Sequence, residues 1–229
     1  MVSNLPKSKF ATRTIHAGQS PDPTTGAIMT PIYASSTFVQ DSPGVHKGYE
    51  YARTGNPTRK AYEMCMADLE GGKSAFAFAS GLAAADTVLS LLNSGDEVLA
   101  MDDLYGGSRR LFENVRKRTS NLKFNFGDLS NNSNLEKLIT KNTKMIWVET
   151  PTNPMLKIVD LEYISKVAKK YNIITVADNT FCSPYIQRPI ELGFDIVVHS
   201  ATKFLNGHSD MVGGIVVCSS EEQAKEIAY

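Results

Sequence analysis

The chain has 229 residues, of which 42% are hydrophobic and 21% charged, and its 24 basic and 24 acidic side chains give a formal net charge of zero. This composition is ordinary for a globular protein, and the neutral balance provides no basic footprint for nucleic acid or for an anionic membrane. The polar residues 1–10 lack the apolar core of a signal peptide, and every apolar run is far shorter than a membrane span. The sequence therefore predicts a cytoplasmic protein with one large domain, or one domain plus an arm.

Residues 1–56 are rich in Pro, Gly, Ser and Thr, which interrupt any long element and predict an ordered arm. From Pro57 the pattern becomes an alternation of apolar strands with amphipathic helices. Helices are predicted at 57–70, 81–92, 108–118, 134–140 and 160–171, and strands at 74–79, 97–101, 122–126, 144–149, 173–177, 195–199 and 214–218. Seven buried strands joined by helices predict an α/β domain with a mainly parallel, doubly wound sheet and helices on both faces.

Several common kinds of site are not supported by the sequence. The three cysteines form no CxxC pair, and the four histidines show no metal-ligand spacing, so neither a disulfide framework nor a metal site is predicted. Residues 72–74 (GKS) end like a phosphate-binding P-loop, but Ala67 occupies the position of its first glycine and a helix precedes the segment. No GxGxxG is present either, so a nucleotide-binding module is disfavoured.

Polar and ionisable residues follow the carboxyl ends of one predicted strand after another. In open α/β sheets ligands bind at this edge, so these loops are the place to look for a site. The loops are 80–82 (SGL), 102–107 (DDLYGG), 149–154 (ETPTNP), 178–180 (DNT) and 200–203 (SATK).

Lys203 and Asp178 are the two residues in these loops with the most specific chemistry. A lysine just beyond a buried strand can be partly desolvated, which lowers its pKa and provides the amine that a Schiff base with pyridoxal phosphate needs. A carboxylate at a neighbouring strand end can pair with a protonated pyridine nitrogen. Taken singly, Lys203 is more simply a surface lysine and Asp178 a turn cap, and only their occurrence together predicts the cofactor.

The remaining strand-end residues match the other parts of such a cofactor. Residues 80–82 begin a helix whose free N–H groups can bind a phosphate, and the hydroxyls of Ser200 and Thr202 can join them. Tyr105 can stack on a flat ring, although a half-buried core tyrosine is the commoner fate of this residue type.

Six stretches together resemble the Cys/Met-metabolism family of pyridoxal-phosphate enzymes, which have fold type I. They occur in the family's order through nearly the whole chain: 51–58 (YARTGNPT), 78–83 (FASGLA), 103–107 (DLYGG), 149–154 (ETPTNP), 176–180 (VADNT) and 199–203 (HSATK). The family includes cystathionine γ-lyases, γ-synthases and β-lyases, methionine γ-lyases and O-acylhomoserine sulfhydrylases. The resemblance implies pyridoxal 5'-phosphate as cofactor, a small amino-acid substrate, and a homotetramer built from dimers that share active sites.

The resemblance also implies a role for each matching residue. Lys203 resembles the Schiff-base lysine that moves protons, Asp178 the partner of the pyridine nitrogen, and Tyr105 the ring-stacking tyrosine. Tyr51 and Arg53 resemble residues that reach the phosphate of a neighbouring subunit, and Tyr51, Arg110 and Asn153 match substrate-side positions. The other implied cofactor-binding residues are Ser80, Gly81, Leu82, Glu149, Asn153, Thr180, Ser200 and Thr202.

Within the family, cystathionine γ-lyase is the expected activity, with γ-synthase or O-acylhomoserine sulfhydrylase next. Gly107 lies where typical methionine γ-lyases have cysteine, and Asn56-Pro57 fits the γ-branch better than the typical bacterial β-lyase. The resemblance divides this chain into an arm (1–56) and a cofactor-binding domain (57–229). Family members continue into a C-terminal domain that holds an arginine for the substrate carboxylate, and this chain is expected to lack that domain. A fragment that binds cofactor or partner subunits without turnover is the non-catalytic alternative.

Overall fold

The structure is a computed structural model that describes residues 8–228. Residues 1–7 of the predicted arm and residue 229 of the predicted domain lie outside this range. Contacts between residues divide the chain near residue 70 into an N-terminal unit and a larger C-terminal unit.

The N-terminal unit is held together by its contacts with one long helix. It contains α1 (Phe10–His16), the short strands β1 (Gln40–Ser42) and β2 (Val45–His46), and most of α2 (Pro57–Glu70). Asn56 caps α2 by accepting a hydrogen bond from the Thr58 N–H at 2.9 Å. Gly18, with a φ of +73°, approaches α2 so closely that a Cβ would lie 2.4 Å from the Cys65 nitrogen. Only glycine fits this contact, which explains how an arm with little regular structure is fixed in place.

The C-terminal unit is built on a seven-stranded sheet of the predicted kind. Its spatial order is β3-β9-β8-β7-β6-β4-β5, and β9 alone runs antiparallel to its two neighbours. The strands lie within one or two residues of their predicted bounds: β3 (Ser74–Phe78), β4 (Glu97–Met101), β5 (Lys123–Gly127), β6 (Thr143–Glu149), β7 (Ile174–Asp178), β8 (Ile196–Ser200) and β9 (Gly214–Cys218).

Helices between the strands cover this sheet, as the alternating pattern predicts. Strand β6 shows why, because residues 145–149 are all buried and a strand with no solvent-facing side must be covered on both faces. The helices are α3 (Gly81–Leu89), α4 (Gly106–Arg110), α5 (Lys117–Thr119), α6 (Asn132–Leu138), α7 (Leu161–Tyr171), α8 (Ser183–Ile186) and α9 (Glu221–Ala228). A π-helical stretch, Leu111–Arg116, joins α4 to α5 into the single helix that the sequence predicts. The α/β class with a mainly parallel sheet is confirmed.

The chain reverses direction across the sheet between β4 and β6. Strand β5 lies on one side of β4, whereas β6, β7 and β8 follow in order on the other side. The connections after β4 and β6 therefore lead to opposite sides of this point in the sheet, and open α/β sheets bind ligands in the crevice at the carboxyl edge of such a point. Among the described residues, no helix is long and apolar enough to cross a membrane.

Candidate cofactor site

Five strand-end loops of the C-terminal unit meet around one cavity of about 1090 Å³. The cavity lies at the carboxyl edge of the sheet, where the order of the strands leaves a crevice. Eleven of the fourteen residues predicted for the site line it: Ser80, Gly81, Leu82, Tyr105, Glu149, Asn153, Asp178, Thr180, Ser200, Thr202 and Lys203.

One wall of the cavity is the N-terminus of α3. Ser80 is the N-cap of this helix and its hydroxyl oxygen accepts a hydrogen bond from the Ala83 N–H at 3.1 Å. Gly81 packs so tightly against β8 that a Cβ would lie 2.7 Å from the Cβ of Ser200. The glycine thus brings the positive end of a nine-residue helix to the cavity, and such helix ends bind phosphate.

Hydroxyl groups line the neighbouring wall and are fixed by backbone contacts. The Ser200 N–H donates to the Thr180 hydroxyl oxygen at 2.8 Å, which links the ends of β7 and β8. The Thr202 hydroxyl oxygen accepts from the Gly213 N–H at 3.1 Å, which ties the loop after β8 to the start of β9. These bonds leave the hydroxyl of Ser200 beside the helix N-terminus, where it can donate to an anion.

Two carboxyl groups, Glu149 and Asp178, end neighbouring strands in direct register. The pKa of Glu149 is raised to about 8, mainly by burial and also by the adjacent Asp178, although the N–H groups of Tyr105 and Asn153 oppose the rise. Burial also raises the pKa of Asp178, against hydrogen bonds from Thr180 and the charge of His199. A raised pKa means that the charged form of each acid is destabilised where it lies. A positively charged group bound between the two acids would stabilise their charged forms, so this edge of the sheet favours a cation.

A clamp between the loops after β4 and β6 positions Tyr105 and Asn153. The Tyr105 N–H donates to Glu149 Oε2 at 2.9 Å. Asp103 Oδ2 accepts from the Met155 N–H at 2.9 Å and from the hydroxyl of Thr152. The two loops on either side of the crevice are therefore tied to each other, which fixes the residues that they carry.

The ring of Tyr105 packs on Gly107, where a Cβ would lie 2.3 Å from the ring carbon Cε1. A side chain at position 107 would therefore force the ring to move. Gly107, noted in the sequence as a departure from methionine γ-lyases, thus has a direct effect on the position of the tyrosine.

Lys203 lines the cavity from the loop after β8, but it is exposed, not partly desolvated as its position after a buried strand predicts. The reason is local, because Lys203 follows β8 by three residues and lies in a turn closed by the Gly207 N–H on the Lys203 carbonyl at 2.8 Å. The lysine amine is therefore directly accessible from the cavity.

Three predicted site residues do not line this cavity. Arg110 is exposed on α4, within 3.5 Å of the position that a Cβ on Gly106 would occupy. Tyr51 and Arg53 belong to the N-terminal unit, where the Arg53 guanidinium lies 4.9 Å from the centre of the Tyr51 ring, and both residues are exposed. Their predicted roles at the site remain predictions.

Eight other residues that line the cavity were not predicted from the sequence. Phe181 and Phe204 pack edge to face with ring centres 5.8 Å apart, and six residues belong to α4 or to the loop before β9. Phe181 directly follows the DNT stretch and Phe204 directly follows Lys203, so proximity in the chain was a usable signal for these two. No local sequence pattern marked the other six residues as part of the site, namely Ser108, Gly207, Ser209, Asp210, Met211 and Val212.

The lining residues fit pyridoxal phosphate. A helix N-terminus beside hydroxyls suits its phosphate, a carboxylate at a strand end suits its pyridine nitrogen, and an accessible amine suits its aldehyde. The close approach of Gly81 to Ser200 leaves the backbone N–H groups of α3 uncovered by a side chain at that point.

Comparison with known proteins agrees with this fit. A cystathionine β-lyase of Coxiella burnetii is 61% identical over the whole of this chain and 59% of its own length, and a cystathionine γ-lyase of Dictyostelium discoideum is 51% identical over 96% of this chain and 57% of its own. The crystal structure of a cystathionine γ-lyase from Lactobacillus plantarum complexed with L-serine superposes with a TM-score of 0.94 at 48% identity, over 97% of this chain and 58% of that one.

The chain thus spans somewhat more than half the length of these relatives. A family model described as "Cys/Met metabolism PLP-dependent enzyme" matches residues 11–229. The predicted family and the predicted cofactor, pyridoxal phosphate, are confirmed, and the chain belongs to the Cys/Met-metabolism family of pyridoxal-phosphate-dependent enzymes.

Proposed function

We propose that this chain forms the cofactor-binding part of a cystathionine-cleaving lyase, with γ-elimination to cysteine, 2-oxobutanoate and ammonia as the main reaction. The observation that carries the proposal is the grouping of Lys203, Asp178 and the α3 N-terminus around one cavity. Pyridoxal phosphate, when bound, supplies an electron sink for the carbanions that form next to the substrate amine. The protein supplies orientation and proton transfer.

Each lining residue then has a physical task. Lys203 would hold the cofactor through its Nζ and would carry a proton to and from the substrate carbon that bears the amine. Asp178 holds the positive charge of the pyridine nitrogen, and residues 80–82 with Ser200 and Thr202 bind the phosphate. Tyr105 covers one face of the ring, and its loop is held by the clamp at Asp103.

The names of the relatives cover three different reactions, so they leave more than one candidate reaction for this chain. The names of the relatives include cystathionine β-lyase at 61% identity, γ-lyase at 51% and a probable γ-synthase at 49%. Because of the 61% relative, β-elimination of cystathionine to homocysteine, pyruvate and ammonia is the second candidate. γ-Replacement on an activated homoserine is the third, and the Gly107 contact with Tyr105 disfavours methionine γ-lyase.

A product assay separates these reactions. The protein at its natural length is incubated with cystathionine, O-succinylhomoserine and methionine in parallel, and 2-oxobutanoate, pyruvate and the thiol products are quantified. A predominance of 2-oxobutanoate and cysteine from cystathionine is expected. Pyruvate with homocysteine would replace γ-elimination by β-elimination, and turnover only with the homoserine ester would indicate a synthase.

The cofactor attachment has a separate test. The protein should be yellow, and borohydride reduction should fix the cofactor on the tryptic peptide that contains Lys203. A Lys203→Ala variant with an unchanged circular dichroism spectrum should retain no cofactor after reduction and denaturation. A colourless wild-type protein that gains no cofactor on incubation would refute the proposed attachment.

We also infer that residues 1–56 act as an arm on a neighbouring subunit of a homotetramer. The support is the exposure of Tyr51 and Arg53 within their own chain, together with the Arg59 guanidinium, which donates to the backbone carbonyls of Ala52 at 2.9 Å and Arg53 at 3.1 Å and so holds their segment. Mixing Arg53→Ala with Lys203→Ala protein should restore part of the activity in hybrid oligomers. Some sites then combine an intact Lys203 from one subunit with an intact Arg53 from its neighbour. Absence of rescue in verified hybrids would argue against shared sites.

A further inference from the structure

A buried polar cluster lies at the ends of β7 and β8 and is not part of the cavity lining. Glu70, Asn179 and His199 each have no exposed surface. Glu70 Oε1 lies 2.6 Å from His199 Nε2, and it also accepts a hydrogen bond from Asn179 Nδ2 at 2.9 Å. One carboxylate oxygen therefore holds two side chains that belong to neighbouring strand ends.

The two side chains held by Glu70 are direct neighbours of predicted cofactor residues. His199 precedes Ser200, and Asn179 follows Asp178. Since successive side chains of a strand point to opposite faces, His199 contacts Glu70 on the face of β8 opposite to the one toward which Ser200 points. A shift of Glu70 would thus change the positions of two cavity residues without touching the cofactor.

Gln187 completes the cluster with neutral hydrogen bonds. The side-chain Nε2 of Gln187 donates to Asn179 Oδ1 at 3.0 Å and to the backbone carbonyl of Thr150 at 3.3 Å. The backbone carbonyl of Gln187 accepts from Asn179 Nδ2 at 2.8 Å. The cluster therefore has a neutral part at Gln187 and an ionisable part at Glu70 and His199, and the two parts can be changed separately.

The ionisable part is the short contact between Glu70 and His199, which leaves Glu70 Oε2 and His199 Nδ1 buried without a hydrogen-bond partner among the described residues. An isolated charge without exposure to water is strongly disfavoured, whereas two opposite charges in a hydrogen bond satisfy each other. A separation of 2.6 Å lies at the short end, where charge-assisted bonds are found. The other ionisable groups facing this pair are Asp178 and Cys182, and β9 places the apolar Ile215 opposite His199.

We propose that Glu70 and His199 form a buried ion pair that positions Asp178 from behind the sheet and keeps its carboxylate charged for the pyridine nitrogen. Glu70 and His199 are positioning residues in this proposal, since neither lines the cavity. The consequence for Asp178 rests on the proposed function, whereas the charge state of the pair does not. A positive imidazole near Asp178 opposes the rise in its pKa that burial causes.

The charge state is tested first in cofactor-free protein at its natural length, labelled with ¹⁵N-histidine. Both ring nitrogens of His199, assigned by their loss in His199→Asn, should show the chemical shifts of the protonated imidazole at pH 7. In Glu70→Gln the protonated form should be lost at pH 7, since the buried imidazole loses its counter-charge. A neutral His199 at pH 7 in the wild type would overturn the proposal, whether or not the variant folds.

The consequence for Asp178 is tested in the holoenzyme by the pH dependence of the cofactor's visible absorption. Glu70→Gln should shift the midpoint of this dependence by about one pH unit, because a less charged Asp178 holds the nitrogen's proton less firmly. Gln187→Leu is the matched control, since it removes neutral bonds of the same cluster and leaves the ion pair. Its midpoint should equal that of the wild type.

Equal midpoints for Glu70→Gln and the wild type, or equal shifts in both variants, would show a packing role only and overturn the proposal. Failure of the proposed function has a different signature. In that case borohydride would fix no cofactor on Lys203, while the nitrogen chemical shifts of His199 in cofactor-free protein would be unaffected.

Discussion

Gly81→Ala tests the contact that brings α3 to the cofactor cavity. The added Cβ would lie 2.7 Å from the Cβ of Ser200 and 2.8 Å from its Cα. Carbon atoms in contact normally lie 3.5–4.0 Å apart, so a displacement of about 1 Å is needed. Ser200 cannot yield easily, because its N–H donates to Thr180 and it pairs with Gly214 in β9. The N-terminus of α3 must therefore move.

Overpacking of this kind costs about 1–3 kcal/mol of folding free energy. Because the displaced segment carries the N–H groups proposed to bind phosphate, a comparable part of this free energy should be lost in cofactor binding. Since about 1.4 kcal/mol corresponds to a factor of ten, affinity for pyridoxal phosphate should fall about tenfold or more. Fluorescence titration of cofactor-free protein measures the affinity, and urea unfolding measures the stability.

Gly106→Ala is the matched control for this change. Gly106 also begins a helix after a strand-end loop, but its added Cβ would meet only Arg110 Nη1 at 3.5 Å, an ordinary contact. Stability and cofactor affinity should therefore stay near the wild-type values. Equal behaviour of the two variants would refute the reasoning from the Gly81 contact.

Three further changes probe the acids around the cavity. Asp178→Asn removes the charged partner of the pyridine nitrogen, so affinity for the cofactor should fall by about 1.5–3 kcal/mol, measured by the same titration. Glu149→Gln removes an acid whose pKa burial raises to about 8, above its ordinary value of 4.5. Because a raised acid pKa stabilises the protonated folded state, the wild type without cofactor should lose stability as pH rises from about 4.5 to about 8, by an amount of the order of a few kcal/mol, and the variant should not. Asp103→Ala opens the clamp on Met155 and should lower stability by about 1–3 kcal/mol and raise the substrate KM, because the loop with Asn153 is released.

Each of these three predictions would be contradicted by a specific result. Unchanged cofactor affinity in Asp178→Asn would remove that residue from the proposed site. A pH dependence of stability in Glu149→Gln as steep as in the wild type would assign the effect to other groups. Asp41→Ala, at an exposed position in the N-terminal unit, is the control for Asp103→Ala, and equal stability of these two variants would show that the clamp contributes little.

Much of the fold was predictable because its signals are local. Buried parallel strands are continuous apolar runs, and β4 and β9 have the predicted bounds to the residue. Helix ends were less well predicted. The helix from 81 ends at Leu89, not at residue 92, because Ser90 closes it with a backbone bond to Thr87. Such terminal turns depend on the contacts of a few residues and not on hydrophobic periodicity.

For the candidate site, the sequence by itself determined which residues end the strands, and with them eleven residues of the cavity lining. This was possible because carboxyl ends of parallel strands share one edge, whatever the order of the strands. Only the tertiary structure decided what lies behind that edge. Glu70 is 109 residues from Asn179 and 129 from His199, and no local pattern marks three residues that distant as partners. Their contact, like the exposure of Lys203 and the approach of Gly81 to Ser200, depends on how the sheet and helices pack in three dimensions.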